Sequence, residues 1–130
     1  MNREELAHIL RAAARIAQDP DVLVIGSQSI LGSYSEGDLP EEAWISREVD
    51  IAFFDDPDEV KSNAVDGAIG EGSHFDQQFG IYGQGVSVST AVLPDGWRDR
   101  LVPYDRVDAR PSRALCLDAH DLVVRAAFSR

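Results

Sequence analysis

Cysteine, lysine and long apolar runs are nearly absent from this sequence. Its 130 residues contain one cysteine, Cys116, which excludes a disulfide framework and argues against a structural zinc site. No apolar run approaches the roughly 20 residues that a membrane helix needs. The N-terminus leads into no signal-peptide core, so a cytoplasmic protein with no membrane partner is expected. The length suits a single domain, since domains cluster near about 100–150 residues.

Positive charge is scarce in one part of the chain. Between Glu36 and Asp76, thirteen acidic residues are accompanied only by Arg47 and Lys61, which gives this segment a charge of −11. The ten acids and ten arginines elsewhere cancel, so this acidic band accounts for the net charge of the whole chain. Because DNA-binding proteins neutralise phosphates with lysine and arginine, no DNA partner is expected. Most of these acids are expected to form a solvated face.

Hydrophobic periodicity predicts helices that alternate with strands. A helix is predicted over Glu4–Gln18, capped by Asn2 with Glu5 placed to complete a capping box. Val22–Ile25 is an unbroken apolar run typical of a buried strand, and Glu48–Phe54 alternates as a second strand.

The rest of the chain continues this pattern with shorter elements. Asp56-Pro57 predicts the start of a second helix, whose buried stripe is expected to be Val60, Ala64, Ala68 and Ile69. Gly80–Gly85 predicts a turn between short strands, and a last helix is predicted from Leu122. Together these elements predict an α+β (α/β) domain with a small mixed β-sheet flanked by helices.

One combination of residues carries chemistry. The first strand ends at Gly26-Ser27, where the glycine permits a sharp turn and the serine opens a helix whose free N–H groups favour phosphate. Glu48 and Asp50 are two residues apart on the second strand, so both carboxylates point the same way and suit Mg²⁺ or Mn²⁺. Two such metals can activate an attacking oxygen and neutralise a leaving pyrophosphate.

Val24-Ile25-Gly26-Ser27 followed by Glu48-Val49-Asp50 resembles the signature of the DNA polymerase β-like nucleotidyltransferase superfamily. The longer string Val24–Gly32, with Thr90–Trp97, resembles a narrower bacterial group of uncharacterised nucleotidyltransferases and nucleotidyltransferase toxins of toxin–antitoxin pairs. The resemblance covers nearly the whole chain and implies one nucleotidyltransferase-like domain over residues 1–130. It implies an NTP substrate, an RNA or tRNA 3′ end as acceptor, and a cognate antitoxin as partner.

The resemblance also implies site residues. In the superfamily the Gly-Ser helix start holds the triphosphate and the acid pair holds metal. The catalytic residues are therefore expected to be Glu48, Asp50 and Ser27, with Glu48 and Asp50 as the metal ligands. Gly26, Ser27, Gln28, Ser29 and Arg98 are expected to bind the substrate, although solvent-facing roles for Gln28 and Ser29 remain the alternative.

Arg98 is included because it belongs to the only basic stretch, Arg98–Arg113. Its five arginines can hold a triphosphate or an RNA end, and the alternative is a solvated loop paired with the acidic band. Trp97 and Tyr104 could stack on a base, but a packing role is predicted for both.

Three departures from the family pattern support a second hypothesis. Glu48 stands where the superfamily usually has Asp, and Ser35–Ser46 is predicted to be an inserted loop. The family's C-terminal helix, with its catalytic lysine and further acid, is expected to be missing. The single lysine, Lys61, belongs to an unrelated helix. The alternative function is a truncated or degenerate, inactive relative that acts at most as a binding partner.

Several residues have simpler interpretations. Four acids before the second helix are predicted to cap it rather than to bind metal: Asp55, Asp56, Asp58 and Glu59. His8 is expected on the surface, His74 in a loop, and Cys116 in the core.

Overall fold

The computed structural model describes residues 1–25, 47–88, 93–118 and 121. The helices are α1 (Arg3–Ala17), α2 (Val60–Ile69) and α3 (His74–Phe79). The strands are β1 (Val22–Val24), β2 (Glu48–Phe53), β3 (Tyr82–Gly85), β4 (Val102–Tyr104) and β5 (Ala114–Cys116). None of the helices in these ranges is long and apolar enough to cross a membrane.

The five strands form one mixed sheet in the order β3-β2-β1-β5-β4. β2 runs antiparallel to β1 and parallel to β3, while β5 runs parallel to β1 and antiparallel to β4. The predicted α+β class with a small mixed sheet is therefore confirmed. Some predictions fall outside the described residues: Gly26, Ser27, Gln28, Ser29, the loop Ser35–Ser46 and the last helix.

The first helix forms as its local sequence predicts. The Asn2 side chain accepts a hydrogen bond from the Glu5 amide at 2.8 Å, and the Glu5 carboxylate accepts one from the Asn2 amide at 3.0 Å. This reciprocal capping box satisfies two amides that would otherwise have no partner in the first turn. The helix ends at Gln18, which adopts a left-handed conformation with φ of 54°. Its apolar side is buried against the sheet.

α1 and α2 cover one face of the sheet, here called the helix face. Its core includes Val49, Ile51 and Phe53 from β2, together with Val22 and Val24 from β1. All five side chains are almost completely buried. These residues form the main hydrophobic core, because alternate residues of each strand point toward the helices.

The predicted turn at Gly80–Gly85 is wrong, since Tyr82–Gly85 forms β3. Two glycines in this strand allow α2 to lie close to it. A Cβ on Gly83 would lie 3.2 Å from the Ile51 and Ile69 side chains, and one on Gly85 would lie 2.1 Å from the Ser62 carbonyl oxygen. The glycines thus serve helix packing, which the local sequence does not reveal.

The predicted stripe of α2 is also partly wrong. Val65 and Ile69 are buried together with Ser62, whereas Val60 is 66% exposed. A 3-10 turn over Pro57–Glu59 precedes the helix and rotates its first residues away from the core. Two of its residues have positive φ, 58° at Asp58 and 57° at Glu59, which the sequence pattern did not indicate.

The opposite face of the sheet, here called the open face, has a smaller apolar cluster. Leu23, Ile25 and Ala52 are buried there under Val86, Val88, Trp97 and Leu101. Trp97 begins a 3-10 turn over Trp97–Arg100, and its predicted packing role is confirmed.

Candidate functional site

Glu48 and Asp50 lie together at the start of β2, on the open face. Both are partly buried, and Ala52 continues the same row into the apolar cluster. The register with β3 places Tyr82 beside Glu48 and Gln84 beside Asp50. Because paired residues of adjacent strands share a face, these four polar side chains form one patch beside the apolar cluster.

Tyr82 connects directly to the first acid. Its hydroxyl donates a hydrogen bond to the Glu48 Oε2 atom at 3.2 Å. Burial, with the carboxylates of Glu71 and Glu48 nearby, raises the pKa of Tyr82 to about 12. The phenol therefore stays protonated at neutral pH and can hold the Glu48 carboxylate in one orientation.

Arg47 fixes the backbone just before Glu48. Its guanidinium forms an ion pair with Asp76, and its Nε donates to the Gly80 carbonyl oxygen at 2.6 Å. Asp76 is itself buried and accepts a hydrogen bond from the Gly72 amide at 2.9 Å. The start of β2 is thus tied to both ends of α3, whose N-cap is Ser73 and whose C-cap is Gly80.

The end of β1 meets the start of β2 at this patch. The Ile25 amide donates to the Asp50 carbonyl oxygen at 3.2 Å, and the Leu117 amide donates to the Val24 carbonyl oxygen at 2.9 Å. The chain therefore leaves β1 and β5 at the same end of the sheet that carries the acid pair. Gly26 follows Ile25 directly in sequence.

A buried ion pair lies after β5. Arg100 donates three hydrogen bonds to Asp121, from Nε at 3.1 and 2.9 Å and from Nη2 at 2.7 Å. The Asp121 side chain is completely buried, whereas the Arg100 side chain is 41% exposed. The hydrogen bonds to Asp121 raise the pKa of Arg100, and Asp118 adds a favourable charge. This pair holds residue 121 against the Trp97–Arg100 turn.

Arg98 lies elsewhere on the open face. Its guanidinium carbon is 5.5 Å from the Phe54 ring centre and 5.1 Å from the Trp97 ring centre. Those two rings are nearly parallel and 6.4 Å apart, beside a cleft of about 260 Å³. Phe54 follows the last residue of β2, so Arg98 lies toward the opposite end of that strand from Glu48. Its substrate-binding role remains a prediction.

Lys61 and the acids near α2 have structural partners. Lys61 Nζ lies 2.9 Å from Asp19 Oδ2 and 2.6 Å from the Asp55 carbonyl oxygen, so this lysine is held away from the acid pair. Asp56 accepts hydrogen bonds from the amides of Lys61 and Ser62 at 2.7 and 3.0 Å. Asp56 therefore satisfies two amides in the first turn of α2, as predicted. The N-cap residue itself is Glu59, and its side chain makes no capping hydrogen bond, so the predicted capping role of Glu59 is wrong.

Three other predictions have clear outcomes. Cys116 is fully buried in the core, as predicted, and burial raises the pKa of its thiol to about 12. His74 does not lie in a loop but begins α3, where Ser73 caps the helix. His8 is not simply a surface residue: its ring packs 4.9 Å from Phe75 and 4.5 Å from Phe79 between ring centres.

The acid pair provides two carboxylates on one face of β2. In residues 1–25, 47–88, 93–118 and 121, no group of three or more acidic, histidine or cysteine side chains is placed to hold a metal. A closed structural site is therefore not formed by these residues. Mg²⁺, however, is commonly held by one or two carboxylates together with substrate phosphates and water. Glu48 and Asp50 supply that number of ligands.

Sequence reasoning missed Tyr82, Gln84 and Arg47 as neighbours of the acid pair. Tyr82 and Gln84 become neighbours through the register between β2 and β3, while Arg47 is positioned by contacts with α3. The alternation of Tyr82 and Gln84 between Gly83 and Gly85 is a signal that a strand interpretation would have used. Comparison of the chain with known protein families, curated proteins and solved structures gives no match.

Proposed function

We propose that this protein is a metal-dependent nucleotidyltransferase that transfers a nucleotide from an NTP to an acceptor in the cytoplasm. The supporting observation is the hydrogen bond between the Ile25 amide and the Asp50 carbonyl oxygen. It brings the end of β1, directly before Gly26-Ser27, beside the strand that carries Glu48 and Asp50. A phosphate-binding glycine–serine pair and a metal-binding acid pair would need this proximity.

The reaction would be a phosphoryl transfer. An acceptor hydroxyl group loses its proton to water and its oxygen attacks the α-phosphorus of the NTP. The bond from that phosphorus to the bridging oxygen breaks, and pyrophosphate leaves with that electron pair. Mg²⁺ or Mn²⁺, when bound, supplies positive charge for the attacking oxygen and the pyrophosphate. Glu48 and Asp50 would hold the ion, and Tyr82 would keep Glu48 oriented through its hydroxyl.

The phosphates would be held by the chain after β1. Gly26 and Ser27 are proposed to bind the β- and γ-phosphates, with Gln28 and Ser29 nearby. The acceptor is proposed to be an RNA 3′ end, such as that of a tRNA, and a cognate antitoxin is a proposed partner. Both proposals depend on the resemblance to the toxin group.

The test is transfer of labelled nucleotide from each of the four NTPs to RNA, with Mg²⁺ or Mn²⁺, by the wild type and Asp50→Asn. Loss of the carboxylate is expected to lower transfer at least about 100-fold, because electrostatic stabilisation of the reacting groups is lost. Asp58→Asn is the matched control, since Asp58 is exposed in a 3-10 turn with φ of 58°, which asparagine tolerates.

Thermal melts keep the result interpretable. Asp50→Asn must unfold cooperatively with a melting midpoint near that of the wild type. Mg²⁺ with an NTP is expected to raise the melting midpoint of the wild type but not that of Asp50→Asn. Full transfer by a folded Asp50→Asn variant would overturn the proposal. A wild type that neither transfers nucleotides nor shifts its midpoint would favour the inactive relative as the better hypothesis.

A further inference from the structure

A second cavity lies at the other end of the sheet from the acid pair. Its volume is about 870 Å³, and it is formed by the end of α1, the end of β4 and the start of β5. The Arg113 amide donates to the Pro20 carbonyl oxygen at 2.6 Å, which places the start of β5 beside the start of β1. Asp50, in contrast, lies beside the residue that follows β1. The two places are separated by the length of that strand.

Three arginines line this cavity, here called the arginine pocket: Arg15, Arg110 and Arg113. Among the described residues, Asp105 is the one acid in its lining. Arg113 forms an exposed ion pair with Asp21 at 3.1 Å. In the part of the chain that the structure describes, the guanidinium groups of Arg15 and Arg110 have no hydrogen bond or ion pair. Such a concentration of cations is unexpected in a chain whose net charge is −11.

Elsewhere in the described chain, arginines are engaged by specific partners. Arg106 pairs with Asp108 at 2.8 Å, Arg100 pairs with Asp121, and Arg11 donates to the Asp108 carbonyl oxygen at 2.7 Å. Internal charge pairing therefore explains Arg113, which is paired with Asp21, but not Arg15 and Arg110. Guanidinium groups that converge on a cavity are well suited to a phosphate, which they can contact through two parallel hydrogen bonds.

The pocket also has apolar walls. Pro103, Pro111 and Leu115 contribute apolar surface. Ser112 belongs to the lining as well, but its hydroxyl oxygen is buried and is not exposed to the cavity. Ligand pockets of about 300–1,000 Å³ typically combine apolar walls with a few polar groups.

We propose that the arginine pocket binds a small organic phosphate. Arg15, Arg110 and Arg113 would contact the phosphate oxygens. The apolar walls would contact the organic part. This ligand would be separate from the NTP of the proposed transfer reaction, because its site needs neither Glu48 nor Asp50 and requires no metal ion.

The experiment is isothermal titration calorimetry of the full chain with phenyl phosphate in the presence of EDTA. EDTA removes divalent ions, so binding at the acid pair does not contribute. Saturable binding at one site is expected, and inorganic phosphate and benzoate are each expected to bind at least about tenfold more weakly, because each lacks one half of the ligand. Adenosine monophosphate and ribose 5-phosphate then distinguish an aromatic organic part from a polar one.

Two variants of pocket residues and two control variants locate the site. Arg110→Gln and Arg15→Gln are each expected to weaken phenyl phosphate binding about tenfold or more, since each removes a charge-assisted contact. Arg106→Gln is the matched control, because it removes a cation from the same basic stretch but outside the pocket, and it should bind as the wild type does. Asp50→Asn should also bind normally, whatever its effect on nucleotide transfer.

Several outcomes would overturn the proposal. These are no saturable binding to the folded wild type, inorganic phosphate bound as tightly as phenyl phosphate, or an equal loss in Arg106→Gln and Arg110→Gln. The last two results would indicate a general attraction of anions to the basic stretch. Failure of nucleotide transfer in the earlier test would leave this proposal intact, since the two experiments share neither ligand nor site.

Discussion

The two faces of the sheet are built in different ways. On the helix face, α1 and α2 bury a large continuous core, and the glycines of β3 allow α2 to approach within contact distance. On the open face, three buried residues form a small cluster, and the neighbouring positions are polar. Most of the buried apolar area that stabilises the protein is thus on the helix face, whereas the candidate site residues lie on the open face.

This difference explains how one short strand can contribute both to the core and to the candidate site. β2 sends Val49 and Ile51 into the core and Glu48 and Asp50 to the other side. A sheet covered on one face can keep carboxylates half-buried on the other face without losing its main core. Substitutions on the two faces test this division.

The largest effect is expected at the ion pair between Arg100 and the buried Asp121. Arg100→Ala leaves the completely buried Asp121 carboxylate without its partner, which is strongly destabilising. The melting midpoint is expected to fall by roughly 10 °C or more, because midpoints of domains of this size are sensitive to such losses.

Arg106→Ala is the comparison variant for Arg100→Ala. It breaks the exposed pair with Asp108, so a shift below about 3 °C is expected. Equal shifts in the two variants, measured by thermal denaturation, would show that burial of Asp121 does not determine the cost.

The next effect tests the close approach on the helix face. Gly85→Ala would place a Cβ 2.1 Å from the Ser62 carbonyl oxygen, so α2 or β3 must move. Overpacking of this kind is expected to lower the free energy of unfolding by about 1–3 kcal/mol. Urea denaturation of the wild type and Gly85→Ala measures this difference in the free energy of unfolding.

Gly67→Ala is the matched control, with the opposite expected sign. Gly67 lies within α2, and a Cβ there meets nothing within 4 Å. Alanine should stabilise the helix by about 0.5–1 kcal/mol. If both substitutions stabilise the protein, then β3 and α2 are not as close as described.

A smaller effect is expected at the acid pair itself. Tyr82→Phe removes the hydroxyl that donates to Glu48 at 3.2 Å but keeps the ring. Because Tyr82 is a positioning residue, the substitution is expected to change the Mg²⁺ requirement of nucleotide transfer. The Mg²⁺ concentration that gives half-maximal transfer should rise about tenfold or more, whereas the maximal rate should change less. An unchanged Mg²⁺ dependence with a lower melting midpoint would assign Tyr82 a structural role alone.

The smallest effect is expected at His8 of α1, on the helix face. Burial between Phe75 and Phe79, with a smaller contribution from Arg11, lowers the pKa of His8 below 6.5. The folded state therefore prefers neutral His8, and stability is lost as the pH falls below the unfolded value. From pH 8 to pH 5, the wild type should lose more stability than His8→Gln, by less than about 1 kcal/mol. Urea denaturation at each pH measures the free energy of unfolding, and the same pH dependence in the wild type and His8→Gln would contradict this prediction.

The features that were predicted from sequence depend on neighbouring residues. Asn2 and Glu5 are three residues apart, so their capping box can be recognised locally. The alternation of Glu48, Val49 and Asp50 likewise predicts that both acids share a face. The strand Val22–Val24 follows from its apolar composition.

The features that were missed depend on residues far apart in the chain. Gly83 and Gly85 suggest a turn locally, but they are explained by Ser62 and Ile69 of α2. The contact between Tyr82 and Glu48 spans 34 residues and depends on strand register. The exposure of Val60 follows from two left-handed residues before α2, and neither is a glycine. Sequence periodicity contains none of this information.

The placement of charge along the strand direction of the sheet has a consequence for ligands that approach from a distance. Glu48, Asp50 and Glu71 lie at one end of the sheet, and the arginine pocket lies at the other end. The charges of these residues are therefore separated along the strand direction, so a small anion in solution is attracted to the arginine end and repelled by the acid end. Both effects act within the screening length, which is about 8 Å at physiological salt and becomes shorter as salt is added.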